Sequence, residues 1–147
     1  MAGGFSAIGE ARAFASLVGL DGRFRAGLAD ASEMAGQILV RTTQEGMEGA
    51  GGGRFYPGQR RQSSAPGGYP AIQSSQLYGS INHEVSASQI RFGSTGAFNG
   101  GFDYAIGQHE GTSKMAPRPY LKLTVAKKQA EIANVLGEGV WRKLIGG

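Results

Sequence analysis

The chain of 147 residues contains no cysteine. That excludes disulfide staples and thiolate metal sites, and it fits synthesis in a reducing compartment. Histidine occurs twice, at His83 and His109, so general-base or metal chemistry has few donors to draw on. No stretch approaches the roughly 20 apolar residues of a membrane span. The first residues lack a basic segment followed by an apolar run, so no secretory leader and no membrane partner are expected. Gly51-Gly52-Gly53-Arg54 lacks the Lys-Ser/Thr ending of a phosphate loop, and no dinucleotide fingerprint or HExxH spacing occurs. Ser63, Ser64, Ser74 and Ser75 have no nucleophile-elbow context. His109 and Glu110 are adjacent, so on a helix they diverge by about 100 degrees and do not form a dyad by spacing alone. A site combining both histidines with Glu84 and Glu110 would need the chain to fold back on itself. No cofactor, metal or enzymatic activity is expected.

What the chain has in excess is glycine, with 26 residues against an ordinary usage of roughly 7%. The glycines cluster at 46–58 and 93–101 without a fixed period, which points to loops rather than a fibrous repeat. An apolar share of 40% and a charged share of 18% suit one globular domain with a modest core. The net charge of +4 and pI of about 9.6 favour an acidic partner, such as nucleic acid or an acidic protein surface. The chain is expected to be soluble.

Residues 1–20 read as an arm or a short helix. Phe14, Leu17 and Val18 sit at i, i+3, i+4, Gly19 is placed to end it, and the alternative is a tail ordered on assembly. Residues 21–136 read as a single domain. Asp21 is a candidate N-cap for a helix of about six turns ending near Gly46. Its apolar stripe is Phe24, Leu28, Ala31, Ala35, Ile38 and Thr42. Gly27 and Gly36 weaken it by up to about 1 kcal/mol each and permit close packing on a sheet or a neighbouring subunit.

Residues 46–75 show no periodicity and read as a flexible loop. Arg54, Phe55, Tyr56, Arg60 and Arg61 mix cations with aromatics, a combination that binds phosphates and stacks on bases or orders against a protein partner. Leu77, Ile81 and Val85 fit one side of a half-buried strand. Ile90 and Phe92 alternate with Gln89 and Arg91 in a second strand, completing a hairpin. A loop from 93 to 101 follows, and an apolar pattern resumes over 102–106. Pro117 and Pro119 forbid regular helix or central strand across the MAPRP turn. Val125, Gln129, Ile132 and Leu136 then mark one face of a last helix, which Gly137 interrupts. Residues 137–147 form a tail in which Trp141 is either a core plug or an interface anchor. The expected class is α+β, with a long N-terminal helix and a C-terminal helix packed on a small antiparallel sheet, plus a long Gly-rich loop.

Two segments carry a further signal. The first is Ser64-Ala65-Pro66-Gly67-Gly68-Tyr69-Pro70-Ala71, followed by Ser74-Ser75-Gln76-Leu77-Tyr78-Gly79-Ser80-Ile81. The second is Tyr104-Ala105, then Gln108-His109-Glu110-Gly111-Thr112-Ser113-Lys114-Met115-Ala116-Pro117-Arg118-Pro119-Tyr120-Leu121. Together they resemble the small tail-component family of long-tailed bacteriophages, also called neck or tail-completion proteins. Members share an S-A-P-G-x-x-P segment before a strand, and later a M-x-x-R-P-F/Y-L turn into the last helix. The resemblance covers roughly residues 20–136. Ser74-Ser75 stands where the family has Thr-Gly, and the stretches 46–58 and beyond 137 have no counterpart.

The resemblance implies a structural, non-enzymatic virion protein at the neck or tail end, made in the host bacterial cytoplasm. It implies a homo-oligomeric ring, a hexamer being the usual tail symmetry, that completes the tail and allows head–tail joining. Phage-derived gene transfer agents are similar particles. Expected partners are a head-closure or connector protein, a tail-tube or tail-terminator protein, and DNA in the channel. Tyr104, Gly111, Pro117, Arg118 and Pro119 are expected to form a rigid joint that sets the last helix against the sheet, with Arg118 binding a carboxylate or backbone carbonyls. Arg54, Phe55, Tyr56, Arg60, Arg61 and Trp141 are the candidate subunit or DNA contacts. The alternative is a small basic nucleic-acid-binding protein.

Overall fold

The structure is a computed structural model and describes residues 7–53, 57, 62–73, 75–86 and 89–146, with side chains from residue 19 onward apart from Asn99. Its elements are α1 (Ala7–Glu48), α2 (Ser75–Ser80), β1 (Ile81–Ser86), β2 (Gln89–Ser94), β3 (Phe98–Asn99), β4 (Phe102–Asp103), α3 (Tyr104–Glu110) and α4 (Tyr120–Gly146). The fold is α+β: two long helices pack together and carry a small antiparallel hairpin.

Helix α1 is continuous for 42 residues. Gly19 does not end it and Asp21 does not cap a second helix. Asp21 instead pairs with Arg25 one turn on, at 2.9 Å. The absence of proline from α1 leaves its backbone ladder unbroken, so isolated glycines lower propensity without stopping it. Its buried row is Gly27, Ala31, Ala35, Leu39, Thr43 and Met47. Steps of four follow a ridge that winds round the helix. The expected stripe therefore holds only in part. Ala31, Ala35 and Thr42 are buried, Leu28 and Ile38 are half-buried, and Phe24 is exposed.

Helix α4 runs antiparallel to α1. Thr124 meets Thr43 near one end, and Lys143 meets Asp30 toward the other, at 3.6 Å. The two backbones approach closely where glycines face each other. A Cβ on Gly27 would lie 2.9 Å from the Gly139 carbonyl oxygen, and one on Gly139 would lie 2.5 Å from the Ala31 Cβ. Gly137 does not interrupt α4, which continues to Gly146 with Trp141 inside it. Packing on α1 around Gly139 offsets the glycine penalty.

The strands β1 and β2 pair in register Ile81↔Ser94 through Ser86↔Gln89. Ile81, His83 and Val85 face inward and alternate with exposed Asn82, Glu84 and Ser86. The first strand begins later than its sequence suggests, because 75–80 form α2. Leu77 and Ile81 are four apart, a spacing shared by one helical face and one strand face. The second Gly-rich stretch contains structure too. β3 and β4 pair Asn99↔Phe102 across Gly100 and Gly101, both at positive φ, 58° and 84°, as a tight two-residue turn demands. Residues 104–106, expected to continue the apolar pattern, open α3.

The core gathers Met47, Leu77, Ile81, Ala97, Ala105 and Tyr120 between the helices and the hairpins. Residues 62–73 lack regular structure yet are not a solvated arm. Ser63, Ser64 and Pro70 are buried, and the Tyr69 ring crosses α1 at Gly46, where a Cβ would lie 2.5 Å from it.

Candidate functional site

The residues from 104 to 124 form a joint between the helical pair and the rest of the fold. Just before it stands Asp103, whose carboxylate accepts from Ala105 N at 3.0 Å and Ala97 N at 3.2 Å. One side chain thereby caps α3 and holds the β3–β4 hairpin. Tyr104, half-buried, packs against the core, and its amide donates to the Ala97 carbonyl at 2.9 Å. α3 ends at Gly111, with φ 83° and ψ 171°. This is backbone that side-chain-bearing residues avoid, and a Cβ there would lie 3.0 Å from both the Met115 oxygen and Pro117.

The chain then reverses through Thr112 and Met115, which bond to each other backbone to backbone. Pro119 biases Arg118 away from helical backbone. The Arg118 amide donates to the Gln108 carbonyl at 2.7 Å, and the Pro119 carbonyl accepts from Leu123 N at 3.0 Å as α4 starts. Pro117 is exposed and Pro119 half-buried. The Pro117 carbonyl accepts from Gly67 N at 3.0 Å.

Arg118 is 7% exposed. Its Nε donates to Ser64 Oγ at 2.7 Å, Nη2 to the Ser64 carbonyl at 2.8 Å, and Nη1 to the Ala116 carbonyl at 3.3 Å. A planar fork suits such multiple contacts better than an ammonium group does. The two segments singled out in the sequence, 64–71 and 104–121, are thus in direct contact at Ser64–Arg118 and Gly67–Pro117.

Tyr120 closes the joint from inside. It is buried, its hydroxyl donates to the Ala105 carbonyl at 3.2 Å, and its ring meets His109 edge-on with centroids 5.2 Å apart. Burial, with a smaller contribution from the Asp103 charge, pushes the Tyr120 hydroxyl up to about 12. One turn on, Thr124 Oγ1 bonds Thr43 Oγ1 at 2.8 Å and Tyr69 OH at 3.0 Å. Thr43 also donates to the Leu39 carbonyl at 2.9 Å, or Thr124 to the Tyr120 carbonyl at 3.0 Å. Each hydroxyl has one proton, so Tyr69→Thr124→Thr43→Leu39 is a self-consistent donor chain. It ties α1, α4 and the 62–73 segment at one buried point.

His109 and Glu110 do meet, with Nδ1 and Oε1 2.7 Å apart, contrary to the divergence expected of helical neighbours. The long Glu110 side chain reaches back around the exposed end of α3. The other ring nitrogen, Nε2, is buried without a partner. The pair orients the ring edge-on against Tyr120. His83 pairs instead with Glu33 of α1, Nε2 to Oε1 at 2.7 Å, and its ring lies on Gly36. That hydrogen bond is the main reason the Glu33 carboxyl is lowered from its ordinary value. Among the described residues, no group of three or more His, Asp or Glu side chains gathers to hold a metal. Among them also, no helix is long and apolar enough to cross a membrane.

Trp141 is 62% exposed on α4 and plugs no core. Arg54, Phe55, Tyr56, Arg60 and Arg61 lie outside the described residues, so the joint is the site the structure defines. Sequence reasoning missed Ser64 as the Arg118 acceptor and missed the Thr43–Thr124–Tyr69 chain. A threonine one helical turn after a large apolar residue, as Thr43 after Leu39 and Thr124 after Tyr120, is the one signal available. Compared with protein-family models, curated proteins and solved structures, the chain has no match.

Proposed function

We propose that this chain is a structural virion protein of a long-tailed phage or phage-like particle, acting at the head–tail junction or tail end. The observation that carries the reading is the meeting of the two family-like segments. Residues 64–71 and 115–121 are 54 residues apart in sequence at their Ser64–Arg118 contact, and they form one clasp. A motif whose two halves hold each other belongs to the architecture of the protein, as suits a rigid subunit of an assembly.

The surface supports the same reading. Leu20 and Phe24 on α1, Trp141 and Ile145 on α4, and Phe98 and Phe102 on the second hairpin are large apolar side chains left exposed. A ring subunit buries different patches against its two neighbours, and exposed apolar patches mark such interfaces. A head-closure or connector protein on one side and a tail-tube or tail-terminator protein on the other complete the proposed set of partners. The net charge of +4 suits a ring with DNA in its channel.

Deleting the gene from the phage or prophage that encodes the chain tests this reading. The expected result is accumulation of separate heads and tails in electron micrographs, restored to joined particles by the gene in trans. Joined, infectious particles from the deletion strain would overturn it.

A further inference from the structure

Arg118 is a buried cation whose hydrogen-bond acceptors are all neutral: the Ser64 hydroxyl and the Ser64 and Ala116 carbonyls. Among the described residues no carboxylate forms an ion pair with it, since the ion pairs involve other side chains. Buried charges are ordinarily paired. A guanidinium carries five N–H donors, and three hydrogen bonds leave one on each Nη nitrogen.

Beside Arg118 lies a cavity of about 220 Å³ whose wall includes Ser63, Ser64, Gln108, Lys114 and Met115 together with Arg118 itself. A single water needs only about 10–15 Å³, so the space has room for a small polyatomic ligand. Two of its lining residues are cations and none is acidic. Guanidinium and ammonium donors on one cavity wall, with no carboxylate among the lining residues, suit an oxyanion.

We infer that this cavity binds a small oxyanion, either phosphate or a carboxylate, as the counter-charge of Arg118. The ligand would lie where the 62–73 segment, the end of α3 and the 112–115 turn converge, and so would lock the clasp. The inference rests on the buried cation and the cavity, and is independent of the virion reading.

Thermal unfolding of the full chain tests it, in sodium chloride and with phosphate or acetate substituted at constant ionic strength. The expected result is a saturable rise in Tm with at least one of the two oxyanions and none with chloride. Phosphate alone identifies a tetrahedral ligand, and acetate alone a carboxylate. Lys114 is exposed, so Lys114→Ala folds normally in chloride and weakens the response at least about tenfold, the loss of one charge-assisted contact of roughly 1.4 kcal/mol. The Arg118 Nε–H resonance shifts with the same midpoint in a 1H–15N titration. Identical Tm values in all three salts, or an undiminished response in Lys114→Ala, would overturn the inference.

Discussion

Arg118 and Ser64, 54 positions apart, are joined by two hydrogen bonds: Nε to the hydroxyl at 2.7 Å and Nη2 to the carbonyl at 2.8 Å. The irregular 62–73 segment is fastened to the start of α4 through this pair and through Gly67 N to the Pro117 carbonyl. A loop held this way behaves as part of the body.

Arg118→Ala removes both bonds and leaves the buried Ser64 acceptors unpartnered. A hydrogen bond to a charged group contributes about 1.5–3 kcal/mol, so urea denaturation should show a loss of roughly 3 kcal/mol. Arg118→Lys keeps the charge but loses the fork and should recover less than half of it. Ser64→Ala keeps the carbonyl bond and should cost about half as much, roughly 1.5 kcal/mol. Equal stability of all three with the parent would show that the clasp contributes nothing.

Two glycines of α4 should respond with opposite signs. Gly137 has open space around its Cβ position, whereas a Cβ on Gly139 would lie 2.5 Å from the Ala31 Cβ. Gly137→Ala should stabilise by up to about 1 kcal/mol through helix propensity. Gly139→Ala should destabilise by about 1–3 kcal/mol through overpacking of the α1–α4 contact. Thermal unfolding of the two variants side by side checks the antiparallel packing of the helices.

The same pair shows where the sequence is legible and where it is not. The two long helices, the β1–β2 alternation and the proline turn follow from local spacing, but the expected apolar stripes hold only in part, with Phe24 of α1 and Val125 and Gln129 of α4 exposed. The class of the fold was therefore readable, and so were Ile90 and Phe92 as inward residues of β2. Gly137 and Gly139 look alike in sequence, and only the tertiary approach to Ala31 separates them. Leu77 and Ile81 fit helix and strand equally by spacing; Leu77 falls in α2 and Ile81 opens β1. The clasp was half-visible: Arg118 stands out between two prolines, but nothing local points to Ser64 as its acceptor.

Tyr120 makes stability depend on alkaline pH. Its hydroxyl is raised from 10 to about 12 by burial, so the folded state keeps a proton that the unfolded state gives up. The contribution is complete below pH 10 and is lost as pH rises through 12. At about 1.4 kcal/mol per pH unit it is on the order of 2–3 kcal/mol. Tyr120→Phe should be about 1 kcal/mol less stable at pH 7, having lost the bond to Ala105, and should show a flatter stability profile above pH 10. Parallel profiles for the two proteins between pH 9 and 12 would place Tyr120 in solvent.

The Glu33–His83 contact acts at the other end of the scale. The His83 hydrogen bond lowers the Glu33 carboxyl below 4.5, so its contribution is present above that value and lost as pH falls through the lowered one. Glu33→Gln should therefore be less stable than the parent at pH 7, and the difference should vanish on acidification below pH 4.5. Chemical denaturation at a series of pH values measures it. A difference that persists unchanged at pH 3 would mean the contact is not ionic.

The proposed role is that of a subunit of a virion neck or tail end. Electron cryomicroscopy of particles purified from the strain that carries the gene tests that role. It requires a ring of density at the head–tail junction or tail end into which residues 62–146 fit, with Arg118 on Ser64 in every subunit. Particles that are complete, joined and free of this chain would contradict it.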